Sequence, residues 1–590
     1  MVLTDRQGRV LLWALAAVAA ATYCWDWQHA RYHAFYADAV RSMAGSWKAF
    51  AYGAFDPGAT ITIDKLPGYL WPQALSARLL GFHPWTLLLP QAVFGVLCVL
   101  VLFRTVRRWT RSPGAALLAA AAFTVTPVVA GLFRTVTEDP LFTLLLLLAA
   151  DATLRAALTG RLRSLLAAAV WTGLAFQAKM LEAWVVLPVL GGVHLLAAPG
   201  APRLRLRNLA VAGVTAVALS FSYTAAVDLT PVQQRPYVDG TSDDSAWTMV
   251  IGYNFASRFG SDLPGSLPPA MGGDDGGLTK LLHKGLASQV DWLYPVAGLS
   301  AVLGIRRRRG RPRTDRLRAG HLLWGSWALL FTLVFSVGSV AGHSYYLGVL
   351  ALPLAALTGA GTAELWRAYR DRTGEAWALP TAVGTTACWG LVLALRYPSF
   401  RIWAPVVSGL LALAAVTLLL RRIRPAAGLA LGVAAMLLVP AVWTASVFTT
   451  RYGHSWLGTV GPSARGGGVS DRLTAGQRRL YRYLTRHQHG AGYLMAVAGW
   501  SRATPYILAE GARVLPLGGY TGLVAAPGLA AFRADVAHGT VRYVLFTPLS
   551  TPGADPIIRF VRHRCAVQEQ TDASGDTLYL CRPSEVTAAF

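Results

Sequence analysis

The chain has 590 residues, of which 54% are hydrophobic and only 14% charged, where ordinary soluble domains carry roughly 25%. That balance excludes a soluble enzyme of this length. The formal net charge is +25, but only five of the 54 basic residues are lysine, and the arginines sit in short clusters between apolar runs, which is a membrane topology signal and not a nucleic-acid surface.

A bilayer-crossing helix needs about 20 apolar residues. Thirteen apolar stretches follow one another along the chain: 10–24, 85–103, 114–133, 140–158, 164–178, 180–198, 208–227, 289–304, 320–339, 345–363, 377–395, 402–420 and 427–447. The first reads as an uncleaved anchor and not a signal peptide, because it runs straight into a motif-rich loop. The connections within 164–198 and within 377–420 are very short. Arginine clusters fall at 104–111, 155–163, 203–207, 306–318, 367–372 and 421–424. With thirteen spans they share one side, and the positive-inside rule makes that side the cytoplasm, together with Arg6 and Arg9. Loops 25–84 and 228–288 and the tail 448–590 then lie outside. The expected fold is a polytopic α-helical membrane protein with about 13 transmembrane helices over 1–447, followed by a soluble extracytoplasmic α/β domain over 448–590.

All five lysines (Lys48, Lys65, Lys179, Lys280 and Lys284) fall on the outer side. A compact ammonium suits a phosphate. The first loop carries Tyr32-His33 through Met43, helical in pattern, and then Asp64-Lys65-Leu66-Pro67. That pair reads either as a surface ion pair or as a phosphate-holding lysine with an orienting or basic aspartate. Glu138-Asp139-Pro140 opens the fourth span, as a helix cap or as a catalytic or cation-binding site. Lys179 and Glu182 lie one helical turn apart, in a snorkelling position or a functional one. His343-Ser344-Tyr345-Tyr346 joins the ninth and tenth spans, where an interfacial aromatic belt is the alternative.

In the tail, helical patterns at 470–488, Ala503–Glu510 and 527–538 alternate with strand-like runs at Tyr493–Ala498, Val514–Leu517 and Val541–Phe546, and after Ile557–Arg564 comes a final strand, Leu578–Cys581. This predicts a small, mostly parallel sheet. No glycine-rich phosphate loop precedes a helix, so no nucleotide site is expected there. Cys24, Cys98 and Cys388 lie in or beside spans. Cys565 and Cys581 share the oxidisable outer tail, where a disulfide between them is possible. No CxxC or histidine–cysteine metal spacing occurs.

These motifs, in this order, resemble the GT-C superfamily of polyprenyl-phosphate-sugar-dependent glycosyltransferases, in the branch of the protein O-mannosyltransferases and the lipid A aminoarabinose transferase. The chain is most similar to bacterial family 39 enzymes common in actinobacteria. The resembling segments are Phe35–Trp71, Thr137–Leu148, Lys179–Pro188, Thr230–Phe259, Gly342–Gly361, Pro505–Gly511 and Leu517–Tyr520. The resemblance implies that Lys65 contacts the lipid phosphate within an acid-Lys-Pro motif. It implies that Asp139 matches the acid opening the fourth span and Lys179 a lysine after the fifth. His343-Ser344-Tyr345-Tyr346 matches a basic-aromatic motif near the donor phosphate, with Arg235 and Arg258 as further phosphate candidates; Glu138, beside Asp139, is a further substrate-binding candidate. Many relatives carry an acid just after the first span; here Tyr32-His33 occupies those positions. The catalytic base is therefore open among Asp64, Asp139, Asp38 and His33, and so is the divalent metal found in some relatives.

The expected function is transfer of a sugar from a polyprenyl phosphate to an acceptor hydroxyl on a glycan, lipid or protein outside the membrane, with inversion. A transporter would bury acids mid-span and show internal repeats, and neither is present in the sequence. A catalytically silent assembly protein is the other rival, kept open by the missing first-loop acid.

Overall fold

The computed structural model describes residues 5–269, 276–340, 343–453, 455–464, 472–546, 551–568 and 575–584. Gly342, at the start of one resembling segment, and residues 470–471, at the start of the first expected tail helix, lie outside the described residues. Every apolar stretch carries helix. Among the described residues ten helices are long and apolar enough to cross a bilayer. Three stretches hold shorter helices: Pro113–Thr124, Leu187–Ala197 and Tyr294–Arg307. Two of these shortenings have a local cause. Thr126-Pro127 breaks the stretch 114–133 and restarts it as Pro127–Leu132. The stretch 180–198 opens with a 3-10 turn, Met180–Trp184, which leaves 11 helical residues, a rise of about 16 Å. Prolines start many of these helices, at Pro84, Pro113, Pro202 and Pro425 among others, where a missing N–H costs nothing.

The centre of the bundle is Gly348–Arg370. The apolar window that includes it is 94% buried, against 28% for Pro202–Asp228 at the rim. The central helix is apolar on every side, as a helix ringed by others must be. Its small residues allow close approach: a Cβ on Gly359 would stand 2.3 Å from the Ala115 carbonyl oxygen.

The arginine clusters meet on one face. Asp151 is buried there against Arg104 (2.9 Å), Arg155 (3.4 Å) and Arg108. Arg107 pairs with Asp5 at 2.8 Å, Arg307 with Glu375, and Arg313 donates to the Gly200 carbonyl at 2.7 Å. Loops 25–84 and 228–288 and the sheet lie on the opposite face.

The tail forms a five-stranded sheet of order β2-β1-β3-β5-β4, with β1 Met495–Ala498, β2 Val514–Leu517, β3 Tyr543–Phe546, β4 Ala566–Gln568 and β5 Thr577–Leu580. β2, β1 and β3 are parallel, but β5 runs antiparallel to both β3 and β4. The sheet is therefore mixed and not mostly parallel. β4 ends at Gln568 and β5 begins at Thr577, a connection shorter than the about a dozen residues that a parallel crossover needs, so they pair as neighbours of opposite direction. Cys565 and Cys581 flank that pair and are disulfide-bonded.

Side chains alternate across the sheet. Met495, Val497, Val514 and Leu545 join the main core that continues into the membrane bundle, while Ala496, Ala498, Leu515 and Val544 pack with Phe532, Val536, Ile557 and Val561 of the covering helices. Residues just before the sheet are tied to the bundle too: Gln289 donates to Val460 O at 3.0 Å, and the Tyr397 and Ser463 hydroxyls lie 2.7 Å apart. Cys565 and Cys581 are 16 positions apart, and a crosslink closing a loop of that size contributes about 3 kcal/mol. Replacing both by serine should lower the stability of the sheet unit by about that much, read as faster trypsin cleavage within 475–584 of the purified full chain with cleavage between the bundle helices unchanged.

Candidate active site

The first loop is built to present Asp64 and Lys65. Ser46 caps helix Trp47–Tyr52 by accepting from Ala49 N at 3.3 Å. Gly53, at φ +65°, turns the chain. Asp56 Oδ1 accepts from Thr60 N at 2.9 Å and from Ile61 N at 3.2 Å, closing the next turn. A short parallel ladder then joins the two loops: Thr62 N–H donates to Tyr237 O and Tyr237 N–H to Thr60 O, both at 2.9 Å. Asn254 Nδ2 donates to Asp64 O at 2.8 Å. The turn Pro67–Tyr69 then drops onto the end of helix Leu162–Lys179. Gly68 is required there, since a Cβ would stand 2.6 Å from Gln177 O. This contact sets Lys65 beside Lys179.

A cavity opens between these pieces. Its polar wall comprises Lys65, Glu138, Lys179, Glu182, Asn254, Arg258 and Tyr346; its apolar wall includes Met180, Val185, Phe255, Phe259, Val334 and Phe335. Lys65 Nζ donates to Tyr36 Oη at 2.6 Å and to Asp64 Oδ2 at 3.0 Å. Burial alone would depress its pKa, but Asp64 and Glu138 more than offset that, so it stays above the usual lysine range and charged. Lys179 Nζ lies 2.6 Å from Asp139 Oδ1 and 3.2 Å from Glu182 Oε2, and 3.6 Å from the centre of the Tyr346 ring. It is buried and paired, so it does not snorkel.

Glu138 and Asp139 divide. Asp139 is spent on Lys179 and does not line the cavity. Glu138 is at the N-cap position of helix Asp139–Thr159 but makes no capping bond. It is fully buried, and neither carboxylate oxygen has a hydrogen-bond partner among the described residues. Capping therefore explains neither acid.

The remaining expected residues separate into those near the cavity and those elsewhere. Arg258 is in the wall, and Asp64 stands behind Lys65. His343 stacks on Tyr346 at 5.2 Å and donates from Nδ1 to Val340 O at 2.8 Å. Burial, then Arg258, Lys65 and Lys179, push its pKa down to about 3. It is thus a neutral imidazole beside the cavity and not the cation its motif suggests. Tyr345 is buried behind Tyr346, which is the tyrosine that lines the cavity. Arg235 is committed to Asp244, at 2.7 Å from both its Oδ1 and its carbonyl oxygen, and pins the second loop away from the cavity. Asp38 is buried against the sheet unit, where it accepts from Thr504 Oγ1, and Arg41 one turn later donates to Leu508 O. Burial raises the Asp38 carboxyl well above its usual range despite Thr504 and Arg41. Its place is a tie to helix Trp500–Glu510 and not the cavity. His33 packs among Tyr36 (4.4 Å), Trp456 (4.9 Å), Trp500 and Tyr520. Burial, then Lys65 and His343, hold it neutral.

Among the described residues no group of three or more His, Cys, Asp or Glu side chains could hold a metal ion. The two carboxylates that face each other here, Asp139 and Glu182, share an ammonium instead, so the donor set does not fit a divalent metal. Tyr346 belongs to the His343–Tyr346 motif, whereas nothing in the sequence marks Tyr36 or Asp239 as site residues. Asp239 joins three parts of the chain: its N–H donates to Thr62 Oγ1 at 3.1 Å, and its carboxylate accepts from Gly240 N at 2.6 Å and Tyr520 N at 2.8 Å. Burial, then Asp64, push its pKa up to about 7 against those bonds and Lys65. A raised folded-state pKa favours the protonated fold, so this contribution is complete below the ordinary value and is lost as pH rises through about 7. Amide exchange around 517–524 should quicken between pH 5 and pH 8 beyond the intrinsic rate, and Asp239→Asn should flatten that change.

Comparison with known proteins agrees with this architecture. Residues 64–225 match the family model described as dolichyl-phosphate-mannose-protein mannosyltransferase, and residues 480–564 match the model of the YkcB-like mannosyltransferase C-terminal region. Two Bacillus subtilis (strain 168) proteins are similar over nearly their whole length. The one named "Putative mannosyltransferase YkcB" is 30% identical, covering 94% of this chain and 90% of that one; "Putative mannosyltransferase YycA" is 29% identical, covering 92% of each. The crystal structure of ArnT from Cupriavidus metallidurans bound to undecaprenyl phosphate shares the fold, with a TM-score of 0.56 at 15% identity over 99% of both chains. The extent of the YkcB match, on a bundle and sheet of this form, places the chain in the GT-C glycosyltransferases, in the family of YkcB and YycA.

Proposed function

We propose that this protein transfers a sugar, a hexose or pentose, from a polyprenyl-phosphate carrier to an acceptor hydroxyl at the extracytoplasmic edge of the membrane. The observation that carries the reading is the cavity itself. Lys65 from the first loop, Arg258 from the second and Lys179 from a helix end meet there, on the face opposite the arginine clusters, with Phe255, Phe259, Val334 and Phe335 forming an apolar wall. A lipid-linked phosphate needs both: cations for its head and an apolar flank for the first carbons of its tail. ArnT, with the same fold, was crystallised bound to undecaprenyl phosphate, and the names of the family models and relatives make mannose the first sugar to try. The arginine face is cytoplasmic by the positive-inside rule, which puts the N-terminus inside, membrane unit 1–447 across the bilayer, and 448–590 outside.

In this reading the acceptor hydroxyl loses its proton to a base and attacks the anomeric carbon. The bond to the phosphate oxygen breaks on the opposite side, with inversion. Lys65 and Arg258 take up the charge that develops on the departing polyprenyl phosphate. Lys179, already shared by Asp139 and Glu182, holds that wall in place and adds field. The hydroxyl belongs to a glycan, a lipid or a protein of the cell envelope.

The test is polyprenyl phosphate release by the purified protein in nanodiscs. Polyprenyl-phosphomannose and other polyprenyl-phospho-sugars are the donors, and mannosides, a glycolipid and a Ser/Thr peptide the acceptors. Wild type should release product with at least one pair. Lys65→Ala should lower kcat about 10²–10³-fold. Release from no donor by wild type, or full activity of Lys65→Ala, would sink the reading.

A further inference from the structure

The sequence left four candidates for the base, and the structure engages or removes each of them. Asp38 holds the sheet unit through Thr504. Asp64 and Asp139 are ion-paired to Lys65 and Lys179. His33 is packed among aromatic rings outside the cavity wall. Glu138 differs from all of them. It lines the cavity, it is completely buried, and both its oxygens lack a partner among the described residues. Burying a carboxylate in that way is costly unless something binds to it. The capping role that its position would predict is not taken. Lys65 and Lys179 feel its charge, and so do Tyr69 and Tyr520. The acid therefore shares one cavity wall with Lys65, Lys179 and Arg258.

We propose that Glu138 is the catalytic base. The inference rests on the transferase reading above. The acceptor O–H gives its proton to a Glu138 carboxylate oxygen as the acceptor oxygen bonds to the anomeric carbon. The anomeric C–O bond to phosphate breaks, and its electron pair leaves on the polyprenyl phosphate. Glu138 returns the proton to water when the products part. The competing role is a fixed counter-ion that keeps Lys65 and Lys179 in position.

The two roles separate in Glu138→Gln, which keeps the shape and removes the charge. The measurement uses the full chain in nanodiscs, with the donor and acceptor that wild type turns over, alongside direct binding of polyprenyl phosphate. A base predicts kcat lower by about 10²–10⁴-fold, donor KM within about threefold, polyprenyl phosphate bound at least as tightly as by wild type, and partial rescue of Glu138→Ala by added formate. A counter-ion predicts loss of polyprenyl phosphate binding together with activity and no rescue by formate; that result overturns the proposal, as does a kcat within tenfold of wild type. If wild type itself releases no polyprenyl phosphate, the transferase reading fails and the base falls with it; if wild type is active and Glu138→Gln equally so, only the base fails.

Discussion

Lys179 is the point on which the arrangement turns. It ends one helix, and its ammonium meets Asp139 at the start of another, Glu182 in the following 3-10 turn and Tyr346 just before the central helix. Four segments are thus joined by one buried charge. The cost of removing that charge from water is met only if the carboxylates stay where they are. The chain accepts local strain to keep them there, for Met180 adopts φ +50°, outside the range side chains favour. With this corner fixed, Gly68 can seat the first loop on Gln177, and Lys65 arrives at the cavity already paired.

The membrane part of this architecture was legible because a bilayer imposes it. Twenty apolar residues and an arginine bias are one-dimensional signals, and each apolar stretch became helix. The shorter helices escaped because hydropathy does not register a backbone break such as Thr126-Pro127. The site was legible only as a set of motifs. Asp64-Lys65, Asp139 and Lys179 announced themselves by type and place, yet Tyr36 is 29 positions from the lysine it bonds, and Asp38 is 466 from Thr504. Glu138 and Asp139 show the limit most clearly. Neighbouring residues at a helix start point about 100° apart, so composition could not tell which acid meets Lys179 and which meets the cavity.

The sheet unit is more than an appendage to the bundle. One side of its strands shares the bundle's core, and Asp38, Arg41 and Asp239 fasten it at separate points. Through Tyr520 it reaches the ring cluster of His33, Phe35 and Trp500 beside the cavity. These rings pack continuously between the two units and make the junction rigid beside the cavity.

Charge conservation links the proposed chemistry to the electrostatics of the cavity. Lys65, Lys179 and Arg258 are outnumbered by Asp64, Asp139, Glu182 and Glu138, so the site carries no excess of positive charge to bind an anion strongly at rest. A donor phosphodiester carries one negative charge, and cleavage gives its leaving oxygen a second. If Glu138 takes the acceptor's proton in the same step, the cavity loses one negative charge as the phosphate gains one. The total charge inside the buried site is then unchanged from substrate to product, and the cations need not be reorganised as the bond breaks. Lys65 and Arg258 then act most strongly on the charge that develops on the leaving oxygen, which is present in the transition state and not in the bound donor, and that difference is the condition for binding energy to appear as rate.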